Sequence, residues 1–251
     1  MAFDPDPERS AAEDHAHDYL VVSDLHLDWG EDGQDDIEYA TTVANHLERY
    51  GEEHGCDGLL IAGDIGEPDD VEDLYDDVKE AFDEVLIAQG NHDVLARDIA
   101  ERVNHVPTDD YDQAVRTEVD GLLLEMQHDP SDFNLNYKKQ QSSSSAHGEP
   151  DIVVYGHSHM PFDRALSDGT LAIGAGSTFD NYNMQDHMPS TSFHVLSSDD
   201  DHVTVEHHDF WSGEKVEEAV YRYGPDGFEE VFSDWEWDAA ARDEERWTIP
   251  S

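Results

Sequence analysis

Residues 58–64 read GLLIAGD, an apolar run that empties into Gly63 and Asp64. Working outward, residues 36–54 place Ile37, Ala40, Val43, Ala44 and Leu47 at helical spacing, and residues 70–82 do the same through Val71, Leu74, Val78 and Ala81. Beyond these helices stand two more apolar runs, YLVVS at 19–23 and VLIA at 85–88. Strand, helix, strand, helix, strand is the pattern of parallel βαβ units, whose ligands bind beyond the carboxyl ends of the strands. Each of the three runs ends in polar side chains: Asp24-Leu25-His26, Gly63-Asp64, and Gly90-Asn91-His92-Asp93.

Further out the pattern changes. A short helix is expected near 94–102, followed by a β-hairpin over 114–126 that turns at Asp120-Gly121 and delivers His128. The polar loop QQSSSSAHG at 140–148 is too short to separate domains, and the run DIVVYGHSHMP at 151–161 delivers His157 and His159. In extended backbone, residues two apart share a side, so both imidazoles can converge on one ion, which makes a metal site at the strand end the first hypothesis, and Asp24 and His26 repeat the arrangement. Hairpins over 162–173, turning at 167–169, and over 192–208, turning near 198–201, make this half of the chain look antiparallel. Residues 209–251 hold four of the five tryptophans among acidic residues and read either as a packed extension or as a contact for a homo-oligomer. The expected division is an acidic disordered tail at 1–18, one domain at 19–208 and a C-terminal extension at 209–251.

Charge is the unusual quantity: 62 Asp and Glu stand against 13 Lys and Arg, a net −49. Self-repulsion on that scale is a property of halophiles, so a salt-rich cytoplasm is expected. Disorder is the competing explanation, and the apolar runs at 59–62, 85–88 and 122–126 argue against it. Cys56 stands alone, which rules out an internal disulfide and gives no support to a redox role. The first 18 residues are acidic and lack an apolar leader, and no run approaches the ~18 apolar residues that span a bilayer. A soluble, cytoplasmic protein with no membrane partner is expected. The few basic residues are spread along the chain and form no cationic track, so no nucleic-acid partner is expected.

Taken singly, each polar strand end is weak evidence, since a lone Asp in so acidic a chain is more often solvated or a helix cap. Jointly they are harder to dismiss, because chance would have to place every cluster at one edge of a sheet. The motifs SDLHL, GDIGE, GNHD, MQHDP and GHSH, in this order between residues 19 and about 177, resemble the calcineurin-like metallophosphoesterases. The resemblance implies a four-layer α/β/β/α sandwich with two mixed β-sheets, and two divalent metal ions per chain, Mn first with Fe, Ni, Co and Zn as alternatives. By position, Asp24, His26, Asp64 and His159 would hold one ion, and Asp64, Asn91, His128 and His157 the other, with Asp64 bridging. A hydroxide shared by the ions would attack a small phosphate mono- or diester in line. His92 would stabilise the transition state or protonate the leaving oxygen, and Asp93 would orient it or cap a helix. Gly66-Glu67 and Gly174-Ala175-Gly176-Ser177 depart from the family pattern without removing a ligand. A catalytically silent scaffold for protein partners and a DNA nuclease are the alternatives.

Overall fold

The computed structural model describes residues 18–27, 36–91, 93, 114–128, 150–178, 191–199 and 201–234. The GLLIAGD run forms β2 (Gly58–Ile61), which pairs in parallel with β1 (Tyr19–Val22) and with β3 (Glu84–Ile87). Successive side chains on these strands enter different cores. Leu20, Val22, Leu59, Ile61 and Ile87 pack under α1 (Asp36–His54) and α2 (Pro68–Val78), while Val21, Leu60, Ala62 and Leu86 face a second sheet. Both faces are buried, so the strands read as continuous apolar runs rather than as alternating ones.

α1 spans the residues expected of it. α2 starts two residues earlier than its apolar periodicity suggests and ends sooner. Pro68 occupies the first turn, where its missing N–H costs nothing, and the Asp70 carboxylate accepts the Glu67 backbone N–H at 2.8 Å. Asp69 and Asp70 also sit favourably at the positive end of the helix dipole.

The first sheet has seven strands in the order β12-β11-β10-β9-β1-β2-β3, and the second has five in the order β4-β5-β6-β8-β7. The expectation of an antiparallel second half holds for its hairpins but not for the centre of the second sheet. There β5 (Leu122–Gln127), β6 (Ile152–Tyr155) and β8 (Leu171–Ala175) are parallel neighbours, with β4 (Val115–Val119) and β7 (Pro161–Ala165) antiparallel at the edges. A turn sequence reveals a hairpin, but pairing between runs joined by longer connections is set by tertiary packing. The two sheets stack through a core that joins Val21, Leu60 and Leu196 of the first to Leu124, Met126, Val154 and Ile173 of the second.

The first sheet also continues beyond residue 208. β9 (Phe193–Asp199) and β10 (His202–His208) are followed by β11 (Lys215–Gly224) and β12 (Gly227–Ser233), all antiparallel. Of the two readings of the C-terminal segment, its described part is packed: Ala219, Tyr221 and Phe228 enter the core between the sheets. The hydroxyls of Tyr221 and Tyr223 donate to Asp163 (2.6 Å) and Asp151 (2.8 Å) of the second sheet or its approach. The tail at 1–17, the helix expected at 94–102, the loop at 140–148, residues 235–251 and His92 lie outside the described residues. Among the described residues no helix is long and apolar enough to cross a membrane.

Candidate metal centre

Parallel strands deliver their carboxyl ends to one edge. Asp24 and His26 follow β1, Asp64 follows β2, Asn91 follows β3, His128 follows β5, and His157 and His159 follow β6. If β5 and β6 ran antiparallel, His128 and His157 would stand at opposite ends of the sheet. Backbone bonds stitch the loops beyond the strands: Asp24 N–H to the Gly63 carbonyl (2.9 Å), His26 N–H to Asp64 (3.0 Å) and Gly156 N–H to His128 (3.2 Å). Gly90 lies so close to Asp64, and Gly156 to Ser23 and Ala62, that a Cβ at either position would overlap backbone atoms.

The backbone at these ends is not extended. Asp24, His26, Asp64, His157 and His159 all have positive φ, between 46° and 60°, and among the described residues Asp120 is the only other non-glycine residue that does. This region is uncommon for residues with a Cβ, and such strain persists only where surrounding bonds over-determine it. It also departs from extended geometry, in which His157 and His159 would point to one side. The left-handed kinks send His159 to Asp24 and His26, and His157 to Asp64 and His128.

In the first group, the two oxygens of buried Asp24 have different tasks. Oδ2 takes the His157 backbone N–H at 2.9 Å and lies 2.5 Å from the Ser23 hydroxyl. Oδ1 is buried and accepts no hydrogen bond, yet the Nε2 atoms of His159 and His26 lie 3.1 and 3.9 Å from it and 3.4 Å from each other. A buried carboxylate oxygen facing two imidazole nitrogens fits a cation held between them.

The second group is tighter. His128 donates its Nδ1–H to the Ala62 carbonyl at 2.7 Å, so in the neutral ring Nε2 carries the lone pair. That lone pair faces Asp64 Oδ2 at 3.1 Å, Asn91 Oδ1 at 3.2 Å and His157 Nδ1 at 3.3 Å, and His157 Nδ1 is itself 2.9 Å from Asn91 Oδ1. Burial works to lower the His128 imidazole, but the bond to Asp64, the charges of Asp24 and Asp64 and the Ala62 carbonyl outweigh it and push it up to about 9. The site is therefore built to hold positive charge, as a proton or as a metal ion. Asp64 stands with this second group. Asn91 and His157 are exposed while Asp24, Asp64 and His128 are buried, so the cluster opens to solvent on one side.

Asp93 is buried, and its carboxylate is committed to the backbone. Oδ2 accepts the N–H groups of Asp64 and Gly90, each at 2.8 Å, and Oδ1 those of Ile65 (2.8 Å) and Gly66 (3.1 Å). Burial raises its carboxyl above the ordinary value, and the N–H bonds from Gly90 and Gly66 oppose that. The Ser177 hydroxyl donates to the Asp24 carbonyl at 3.0 Å. The sequence reading missed these supports in Ser23 and Ser177, because small hydroxyl residues in loops carry no local signal of what they touch.

A family model described as calcineurin-like phosphoesterase superfamily domain matches residues 18–201. Among solved structures, a conserved uncharacterized protein of Streptococcus pneumoniae, described as a predicted phosphoesterase, is 19% identical, with a TM-score of 0.53 over 87% of this chain and 98% of its own. Vacuolar protein sorting 29 of Cryptosporidium parvum is 17% identical, with a TM-score of 0.54 over 82% of this chain and 97% of its own. The Escherichia coli phosphoesterase Yfce is 16% identical, with a TM-score of 0.50 over 80% of this chain and 97% of its own. Identities this low speak for the fold alone. No curated protein matches the sequence.

Proposed function

Because the chain belongs to the calcineurin-like phosphoesterase superfamily, we propose that it is a metal-dependent phosphoesterase acting on small phosphate mono- or diesters with two divalent ions. Mn is the first choice, with Fe, Ni, Co and Zn as alternatives for a set of imidazole, carboxylate and amide oxygen ligands. The observation that carries the reading is the crowding of Asp64 Oδ2, Asn91 Oδ1 and His157 Nδ1 around the lone pair of His128, which a cation relieves. Asp24, His26 and His159 would hold one ion, Asn91, His128 and His157 the other, and Asp64 would bridge them. When bound, the ions supply Lewis-acid charge to the phosphoryl oxygens and to the attacking water.

The chain's own groups do the rest. Asn91 and His157 line the open side, where a phosphoester would enter. His92, next to Asn91 in sequence, would give a proton to the leaving oxygen. Asp93 is a positioning residue, fixing the Asp64 loop against Gly90 through four backbone bonds. The second reading is a catalytically silent scaffold for protein partners, whose mark would be ligand loss, but every ligand position is filled here. A nuclease gains no support from 13 basic residues. A salt-rich cytoplasm is the setting this reading assigns.

Metal analysis and a screen of mono- and diesters on ion-loaded protein test the proposal. Asp64→Ala should lose most of both ions and all turnover, whereas His92→Ala should keep its ions and lose on the order of 10²–10⁴ in rate. Full metal occupancy in Asp64→Ala would overturn the ligand assignment, and a loaded parent inactive on every ester would favour the scaffold.

A further inference from the structure

A second set of metal-capable side chains lies on the face of the first sheet that α1 covers, with β10 two strands away from β1. It shares no residue with the centre at the strand ends. Glu206 and His208 are two apart on β10 and so project from one face, while His207 between them turns inward toward Asp163. His54, in the last turn of α1, comes down on the same face, its ring edge-on to His208 with centroids 4.6 Å apart. We propose that His54, Glu206 and His208 form a further site for a borderline divalent cation such as Zn, Ni or Co, one that clips the end of α1 to β10.

Three observations carry the assignment. One ligand atom from each residue lies within 4.8 Å of the other two. His208 faces the Gly213 carbonyl with Nδ1 at 3.3 Å and Glu206 Oε2 with Nε2 at 3.2 Å; with Nδ1–H donating to the carbonyl, the ring would turn its Nε2 lone pair to an ion shared with Glu206. Two acceptor atoms at that spacing match the edge of a tetrahedron with bonds of ~2.1 Å, which is ~3.4 Å. The Gly213 carbonyl that orients the ring is itself fixed. Gly213 has φ +73°, its N–H donates to the Asp209 carbonyl at 2.9 Å, and a Cβ there would stand 2.8 Å from the ring of Tyr50.

Glu206 Oε1 accepts from Lys215 Nζ at 3.1 Å, and the same ammonium reaches Glu218 at 2.6 Å, so Oε2 is the oxygen left to face His208. Buried His208 and the partly exposed Glu206 place the ion at the rim of the packed layer, where water can complete its coordination. Held between the last turn of α1 and β10, the ion would act as a mechanical clip.

Equilibrium dialysis against Zn²⁺ with elemental analysis, paired with thermal unfolding, tests the site on the full chain. His54→Ala should hold one ion per chain fewer than the parent, and Zn²⁺ should raise its unfolding midpoint less. Glu206→Gln keeps the side-chain shape and should lose the same ion, so a misfolded His54→Ala leaves the test intact. Hydrolysis by either variant should match the parent once the strand-end centre is loaded. Equal ion counts and equal Zn²⁺-induced shifts in parent and Glu206→Gln would overturn the proposal.

Discussion

Asp93 fixes Asp64 through four backbone N–H groups, so the smallest change there is informative. Asp93→Asn puts an amide NH₂ where two of those donors need an acceptor, and leaving buried donors unmet costs about 1–3 kcal/mol. Misplacing the loop should weaken metal binding about 10–100-fold, as loss of a group that orients a ligand typically does. Unchanged affinity in a metal titration of that variant would show that the carboxylate does not hold the site. His194 makes a different prediction. It is fully buried, and burial first, then neighbouring His207, holds its imidazole well below 6.5 despite the Ala175 carbonyl. The folded chain keeps it neutral while the unfolded chain protonates it near 6.5, so its contribution is complete above that pH and falls as the pH drops below it. Unfolding free energy at fixed salt should therefore decline by up to ~1.4 kcal/mol per pH unit on its account. His194→Leu should flatten the decline between pH 6.5 and 5, and an unchanged slope would exclude this histidine as its source.

At the scale of elements, the pairing of β5, β6 and β8 decides whether a site exists, because it turns three carboxyl ends toward those of β1, β2 and β3. β11 serves stability instead. Its Tyr221 hydroxyl ties the first sheet to buried Asp163 on β7, which also faces His207 at 3.1 Å. Tyr221→Phe keeps the ring in the core and removes one bond to a carboxylate, a loss of roughly 1.5–3 kcal/mol. Chemical denaturation should show that loss with metal content unchanged, and a neutral result would mean the tie between the sheets is apolar packing alone. α2 shows how lopsided the surface is: Asp69, Asp70, Glu72, Asp73, Asp76 and Asp77 share one flanking cation, Lys79, bonded to Asp76 at 2.6 Å.

Over the whole molecule that pattern sums to a net −49. Around 0.1 M salt the Debye length is ~10 Å and neighbouring carboxylates repel, whereas around 1 M it is ~3 Å and most of the repulsion is screened. Thermal stability should rise from low to molar KCl. The ester of the proposed reaction is itself an anion, so turnover should rise too as the negative exterior is screened, while buried Asp24, Asp64 and His128 are screened less. If both peak near 0.1 M and decline above it, the acidic surface needs another explanation.

By itself the sequence determined the local events. The apolar runs and helical periodicity of residues 19–88 located three strands and two helices, and turn residues located the hairpins. The residue types at the strand ends nominated the ligand set. Only the tertiary structure decided which of these meet. Parallel pairing of β5 with β6 cannot be read from either strand, because it depends on contacts between runs some two dozen residues apart. The resemblance separates His157 from His159, and the left-handed backbone in the loops beyond β1, β2 and β6, which neither motif shows, is how the two come to lie in different groups. The His54, Glu206 and His208 cluster was illegible for the same reason, since a helix end and a strand 150 residues later share no local signal until α1 packs across the sheet.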